Sequence, residues 1–164
     1  MAHLLIKYLY RHQNFLAMPV VNVYLTFNGN CEEAFNFYKS VFGGEFPYLG
    51  RFKDMPPPEE GGKAVTGAEG ERIMHVSLPV SKETMLMGSD TGGEWAKDYK
   101  QGNNFAVSVT ANSKDESDRI FNALSKGGRV TMPLGDTFWG DYFGMLTDKF
   151  GINWMMSFSA NRPQ

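Results

Sequence analysis

The sequence predicts an α+β domain assembled from two copies of one strand–helix–strand–strand–strand unit, and three observations carry that expectation. Asn22-Val23-Tyr24-Leu25-Thr26-Phe27 and Asn104-Phe105-Ala106-Val107-Ser108-Val109 share a polar–apolar alternation and a leading Asn, the period-two signature of a half-buried strand. Each is followed by a polar turn and an amphipathic helix with acids near its start, Glu32 and Glu33 in one copy, Asp115, Glu116 and Asp118 in the other. Each helix then runs to a Gly-Gly pair, at 43–44 and again at 127–128. One such unit alone leaves a sheet face uncovered, so the two copies are expected to pack together.

In the first copy the strand begins after Pro19, and Asn28-Gly29-Asn30 supplies a turn and a helix cap. Ala34, Phe35, Phe37, Tyr38, Val41 and Phe42 recur at three- and four-residue steps and mark the buried face of the helix. Residues 45–53 read as a second strand. Residues 54–70, with Met55-Pro56-Pro57-Pro58 and a charged, glycine-rich run after it, read as a long loop, either a functional cover or a tolerated insertion. Residues 73–80 and 83–88 read as two strands joined by a short turn, and a second loop follows with Trp95 and Tyr99 as its aromatic residues. The second copy should place its strands at 129–134, 139–147 and 152–158. The expected organisation is an extension over 1–18 and one domain over 19–160, with module one at about 19–90, a linker at 91–103 and module two at about 104–160.

The extension carries Leu4, Leu5, Tyr8, Leu9, Phe15 and Leu16 at roughly helical spacing, with Lys7, Arg11 and His12 among them. Lys7 and Arg11 break the apolar centre a secretory signal needs, and the serines usual in an organelle transit peptide are missing. The plainest reading is a segment ahead of the domain, with Met18 the original start.

Composition narrows the function classes. With 42% hydrophobic and 14% aromatic residues the 164-residue chain has enough apolar surface for a real core. Sixteen basic against eighteen acidic residues, with no basic stripe, argue against nucleic acid as a partner. Apolar runs fall short of the ~20 residues of a membrane span. The single Cys31 excludes an internal disulfide and fits a reducing, cytoplasmic setting.

Several runs together resemble a known family. These are Tyr24-Leu25-Thr26-Phe27-Asn28-Gly29-Asn30, Glu32-Glu33-Ala34-Phe35-Asn36-Phe37-Tyr38 with Phe42-Gly43-Gly44, and Trp139-Gly140-Asp141 through Gly144-Met145-Leu146-Thr147-Asp148 to Phe150-Gly151. In order and spacing they resemble the PhnB-like branch of the glyoxalase and vicinal-oxygen-chelate superfamily, over about 19–159. The resemblance implies paired βαβββ modules forming a glyoxalase-like pseudo-barrel with a ligand cleft, and commonly a homodimer. Some members carry the label of demethylubiquinone methyltransferase, yet the chain has no Gly-rich strand-to-helix cofactor turn of the Rossmann type.

Metal-dependent members take His and Glu ligands from the first and last strands of each module. Aligning the two copies puts Asn22 and Asn104 at the first-strand positions, with Val23 the alternative to Asn22, and the last-strand positions on or beside Met87 and on Met155. Neutral amides and thioethers are weak partners for zinc, nickel or manganese, so no metal and no other cofactor is expected. The bland reading of both methionines is cleft or core filling.

Among titratable groups His75 stands out, since alternation along Ile73-Met74-His75-Val76-Ser77-Leu78 sets it with Ser77 on one face. It is a candidate general base or ligand-bonding group, against the plainer reading of a satisfied structural histidine. Cys31 opens the first helix without a companion His or Cys, which favours an inert thiol. Trp139 and Asp141 flank Gly140 and offer a stacking surface and an acceptor, or simply a sheet-rim turn. The expectation is a metal-independent small-molecule-binding protein whose cleft is lined by Asn22, Tyr24, His75, Met87, Asn104, Trp139, Asp141 and Met155. The alternatives are a lyase, isomerase or dioxygenase-type enzyme using His75, and a dimerising partner protein with no ligand.

Overall fold

The structure is a computed structural model that describes residues 20–56 and 64–160, with the backbone alone at 93–95. The expected extension, His3 and His12, the centre of the 54–70 loop and the Trp95 side chain lie outside the described residues.

The first module runs β1 (Val23–Phe27), α1 (Cys31–Phe42), β2 (Tyr48–Arg51), β3 (Ile73–Pro79) and β4 (Met85–Asp90). A 3-10 turn at Phe52–Asp54 and a single helical turn at Gly67–Gly70 lie between β2 and β3. A 3-10 segment, Gly93–Asp98, leads to the second module: β5 (Val107–Thr110), α2 (Lys114–Leu124), β6 (Arg129–Asp136), β7 (Tyr142–Thr147) and β8 (Asn153–Phe158). The result is a mixed α+β fold with two four-stranded sheets in the orders β1-β4-β3-β2 and β5-β8-β7-β6. In each module the first strand lies parallel to the last and the remaining pairs are antiparallel, which defines two βαβββ modules.

Several strand boundaries differ from the sequence expectation for local reasons. The second strand keeps only Tyr48–Arg51, because the chain then turns at Phe52–Asp54, where the Asp54 carboxylate accepts the Arg51 N–H. β4 starts at Met85, after Ser81 Oγ has taken the N–H groups of Glu83 and Thr84 into a turn, and it continues to Asp90 opposite Phe27. Residues 139–141 belong to the β6–β7 turn, in which the Asp141 carbonyl accepts from both the N–H and the hydroxyl of Thr137. The second repeat begins at Val107, so the copies align two residues away from the expected register. Tyr24 lies opposite Met87 while Ser108 lies opposite Met155, which makes Ala106 the counterpart of Asn22.

Both helices and the helix-bearing faces of both sheets share one core. α1 buries Cys31, Ala34, Phe35, Tyr38 and Val41 against Leu25, Phe27, Val76, Leu78 and Leu86. α2, capped by Ser113 Oγ on the Glu116 N–H, buries Ile120, Phe121 and Leu124 against Leu146 and Met156. Phe42 packs at a tilt against Trp154 and Phe37 against Phe150, each with ring centroids 5.7 Å apart, so α1 bridges the modules.

Two buried carboxylates organise the turns around this core. Asp148 accepts from the Tyr38 hydroxyl and Trp154 Nε1, each at 2.8 Å, and from the N–H groups of Phe150 and Ile152. Asp90 accepts from the N–H groups of Gly29, Cys31 and Ile73. Burial pushes the Cys31 thiol far above its ordinary range, and the charges of Asp90 and Glu32 add to the effect, so this thiol is inert. Burial does the same to the Tyr38 phenol, reinforced by the charge of Asp148 and its hydrogen bond.

Three outcomes are expected. Asp148→Ala strands four buried donors and should lower unfolding stability by ~3 kcal/mol or more in urea denaturation. Gly88→Ala would set a methyl 2.6 Å from the Phe35 ring and 2.8 Å from the Leu25 carbonyl, and should destabilise by about 1–3 kcal/mol. Cys31 and Tyr38 keep their protons in the folded state beyond the ordinary values of 9.0 and 10.0, so the unfolded chain binds fewer protons at alkaline pH. Stability should therefore hold below pH ~9 and fall as pH rises further, with Cys31→Ala flattening the first part of the decline.

Candidate functional site

The face of each sheet turned away from its helix is open, and its residues follow from the strand register. On the first sheet Tyr24, Met87, Ser77 and Tyr48 form one row across β1, β4, β3 and β2. His75 lies beside this row, opposite Gly50 on β2. The Tyr24 hydroxyl is 3.3 Å from His75 Nδ1, and the two rings stack with centroids 5.7 Å apart. Tyr48 flanks the imidazole with its ring 5.8 Å away. Its ring folds over Gly50, where a Cβ would stand 2.5 Å from the Tyr48 hydroxyl, so only glycine leaves room for this placement. Tyr24 and Tyr48 remain 48% and 49% exposed.

On the second sheet Ser108, Met155, Met145 and Met132 form the matching row, with Phe143 opposite Ser157 in the neighbouring row. Trp139 packs edge-on against Phe143 at 5.9 Å and against Phe138 at 4.9 Å. Phe138 is 97% exposed and Trp139 50%, held out by a turn whose Gly140 has a φ of +98°. A glycine takes that backbone conformation without strain.

The structure brings Tyr24, His75 and Met87 together on the first open face, and it sets Met155 on the second with Trp139 at its rim. Asn22 is occupied differently: its Oδ1 accepts the Met85 N–H at 2.9 Å and extends the β1–β4 ladder. Asn104 is exposed ahead of β5. Asp141 serves the turn through its backbone carbonyl. Tyr48, Met132, Met145 and Phe143 are additions. Alternation along Tyr142-Phe143-Gly144-Met145 marks the last two, whereas Tyr48 becomes visible only when its ring is seen lying over Gly50.

A divalent metal of the kind bound by other superfamily members does not fit these residues. The positions named from the sequence offer one amide already bonded to Met85, one amide outside the strand whose place in register Ala106 takes, and two thioethers on different sheets. Among the described residues no three His, Cys, Asp or Glu side chains gather where they would hold an ion.

A cavity of about 490 Å³ lies where the modules meet, lined by Val23, Phe42, Met85, Val107, Ile120 and Trp154, with Glu116 and Arg119 among its polar groups. Those two are already engaged, Glu116 with the Asn112 N–H and Arg119 with the Val41 carbonyl. The cavity meets the second open face at Ser108, which lines both.

Comparison with known proteins agrees with this geometry. Protein YjdN of Escherichia coli K12 is 29% identical over 150 residues, covering 89% of this chain and 99% of that protein. The crystal structure of protein PA1353 from Pseudomonas aeruginosa is 38% identical, with a TM-score of 0.71 over 86% of this chain and 98% of that one. The PhnB protein from Bacillus cereus is 26% identical, with a TM-score of 0.66 over 85% and 98%. The model of a family described as the Glyoxalase/Bleomycin resistance protein/Dioxygenase superfamily matches residues 20–156. With two βαβββ modules and a match over most of its length, the chain belongs to the Glyoxalase/Bleomycin resistance protein/Dioxygenase superfamily.

Proposed function

We propose that this chain is a metal-independent small-molecule-binding protein, and that its ligand lies on the open faces of the two sheets. The observation that carries the reading is the Tyr24–His75–Tyr48 cluster. Two half-exposed rings and an imidazole on a sheet face are ligand-binding chemistry, whereas a packing role would have buried them. The mismatch between amides and thioethers and the needs of a divalent ion supports the metal-independent part.

A homodimer completes the proposal. In one chain the open faces lie on the far side of the sheets from the shared core, and Phe138 and Trp139 project from the second of them. A second copy setting its methionine-lined face over the Tyr24–His75–Tyr48 cluster would enclose a cleft and cover these side chains. A cytoplasmic location fits the lone, inert Cys31 and the lack, among the described residues, of any helix long and apolar enough to cross a membrane.

The Tyr24–His75 hydrogen bond also favours a second reading, an enzyme of lyase, isomerase or dioxygenase type in which His75 acts as a base. Unchanged turnover in His75→Ala would remove it.

A thermal-shift panel of aromatic, antibiotic, dicarbonyl and anionic compounds tests the binding reading. At 100 times the dissociation constant a ligand should stabilise by about 2.7 kcal/mol, and silence across the panel would contradict the proposal. Chelator should leave the melting temperature unchanged, and stoichiometric metal in protein purified without added ions would refute metal independence. Light scattering should give a dimer mass, reduced to the monomer by Phe138→Asp combined with Trp139→Ala.

A further inference from the structure

The open face of the first module carries information about the class of its ligand. Among the described residues none of the side chains that β1 to β4 place there bears a fixed charge, and its titratable groups are His75 and the phenols of Tyr24 and Tyr48. The charged residues nearby are committed elsewhere: Arg51 pairs with Glu32, Lys53 with Glu71, and Arg72 donates to the Thr91 carbonyl. A carboxylate, phosphate or phosphonate laid on this face would lose water and meet no fixed cation among the described residues. On the second face the charged residue in register is Arg129, opposite Thr147 at the far end of β6.

The rings define the ligand's shape. The Tyr24 and Tyr48 rings lie at 27° and 40° to the imidazole plane, and Met87 lies in the same row. Tilted aromatic surfaces beside an adaptable thioether suit a flat π-system.

Polarity follows from the tautomer. The direction of the Tyr24–His75 hydrogen bond follows the imidazole tautomer: with the ring proton on Nε2, the phenol, the stronger donor, donates to Nδ1 and Nε2–H is left for a ligand. Among the described residues no protein group bonds the Tyr48 hydroxyl, which stays available above Gly50. The face thus offers donors to an incoming acceptor. Resting on the small-molecule reading above, we infer that this face takes an uncharged, flat ring compound bearing a carbonyl oxygen, with His75 Nε2–H donating to that oxygen and the Tyr48 hydroxyl as the second donor.

Calorimetric titration of the full chain with three probes tests this: coumarin, coumarin-3-carboxylate and naphthalene. Coumarin is neutral, flat and carbonyl-bearing, the second adds a negative charge, and the third keeps the two-ring shape without an acceptor. Coumarin should bind at least about tenfold more tightly than either of the others. His75→Ala and Tyr48→Phe should each weaken coumarin by roughly tenfold and leave naphthalene unchanged, with melting curves confirming that both variants fold. Imidazole ¹⁵N shifts should show His75 as the Nε2–H tautomer. Equal or tighter binding of the carboxylate overturns the uncharged class, and equal binding of coumarin and naphthalene overturns the carbonyl. Silence of all three overturns the inference as a whole. The binding reading falls with it only if the broader panel is silent as well.

Discussion

Asp148 ties the two halves of this chain together. It sits in the turn between β7 and β8, yet its carboxylate receives the Tyr38 hydroxyl from the helix of the other module, along with the indole N–H of Trp154. A buried carboxylate must be surrounded by donors, and this one draws them from both modules. The aromatic contacts of Phe42 with Trp154 and Phe37 with Phe150 follow the same line, so α1 has apolar surface for two sheets at once. The helix-bearing faces are thereby consumed by one core. What remains for function is the opposite face of each sheet.

Those faces differ in chemistry. The first carries phenols, hydroxyls and an imidazole, whereas the second carries a cross-strand file of thioethers bordered by Phe143 and Trp139. A duplicated scaffold with diverged surfaces gives one polar wall and one adaptable apolar wall, which is a sensible pair for gripping a ring system from two sides. The proposed reading has amides and thioethers at the positions the superfamily resemblance assigns to metal ligands, and on that reading the scaffold is used without the metal chemistry.

Much of the fold was legible because its determinants are local. The alternation over Val23 to Phe27, the helical spacing of Ala34, Phe35 and Tyr38 and the paired glycines each announce an element directly. Strand ends were less visible, since they depend on single side-chain bonds such as Ser81 to Thr84 or Thr137 to Asp141 that no periodicity records. The site was legible in part. His75, Tyr24 and Met87 share a face because alternation is strict, while the pairing of Asn22 with Asn104 failed because the leading Asn is a coincidence of sequence two residues out of structural register. Tyr48 depends on a missing Cβ at Gly50, a tertiary fact, and the outward direction of the faces depends on how α1 is shared between modules.

On the proposed reading the superfamily's metal positions are held here by groups that bind no divalent ion, on faces open to a ligand. Methionine-methyl NMR during titration with Mn²⁺ addresses it most directly, because Met87 and Met155 occupy those positions on β4 and β8. Their methyl signals should lose intensity no faster than those of the other surface methionines up to several equivalents. Selective broadening of Met87 or Met155 at one equivalent would contradict it.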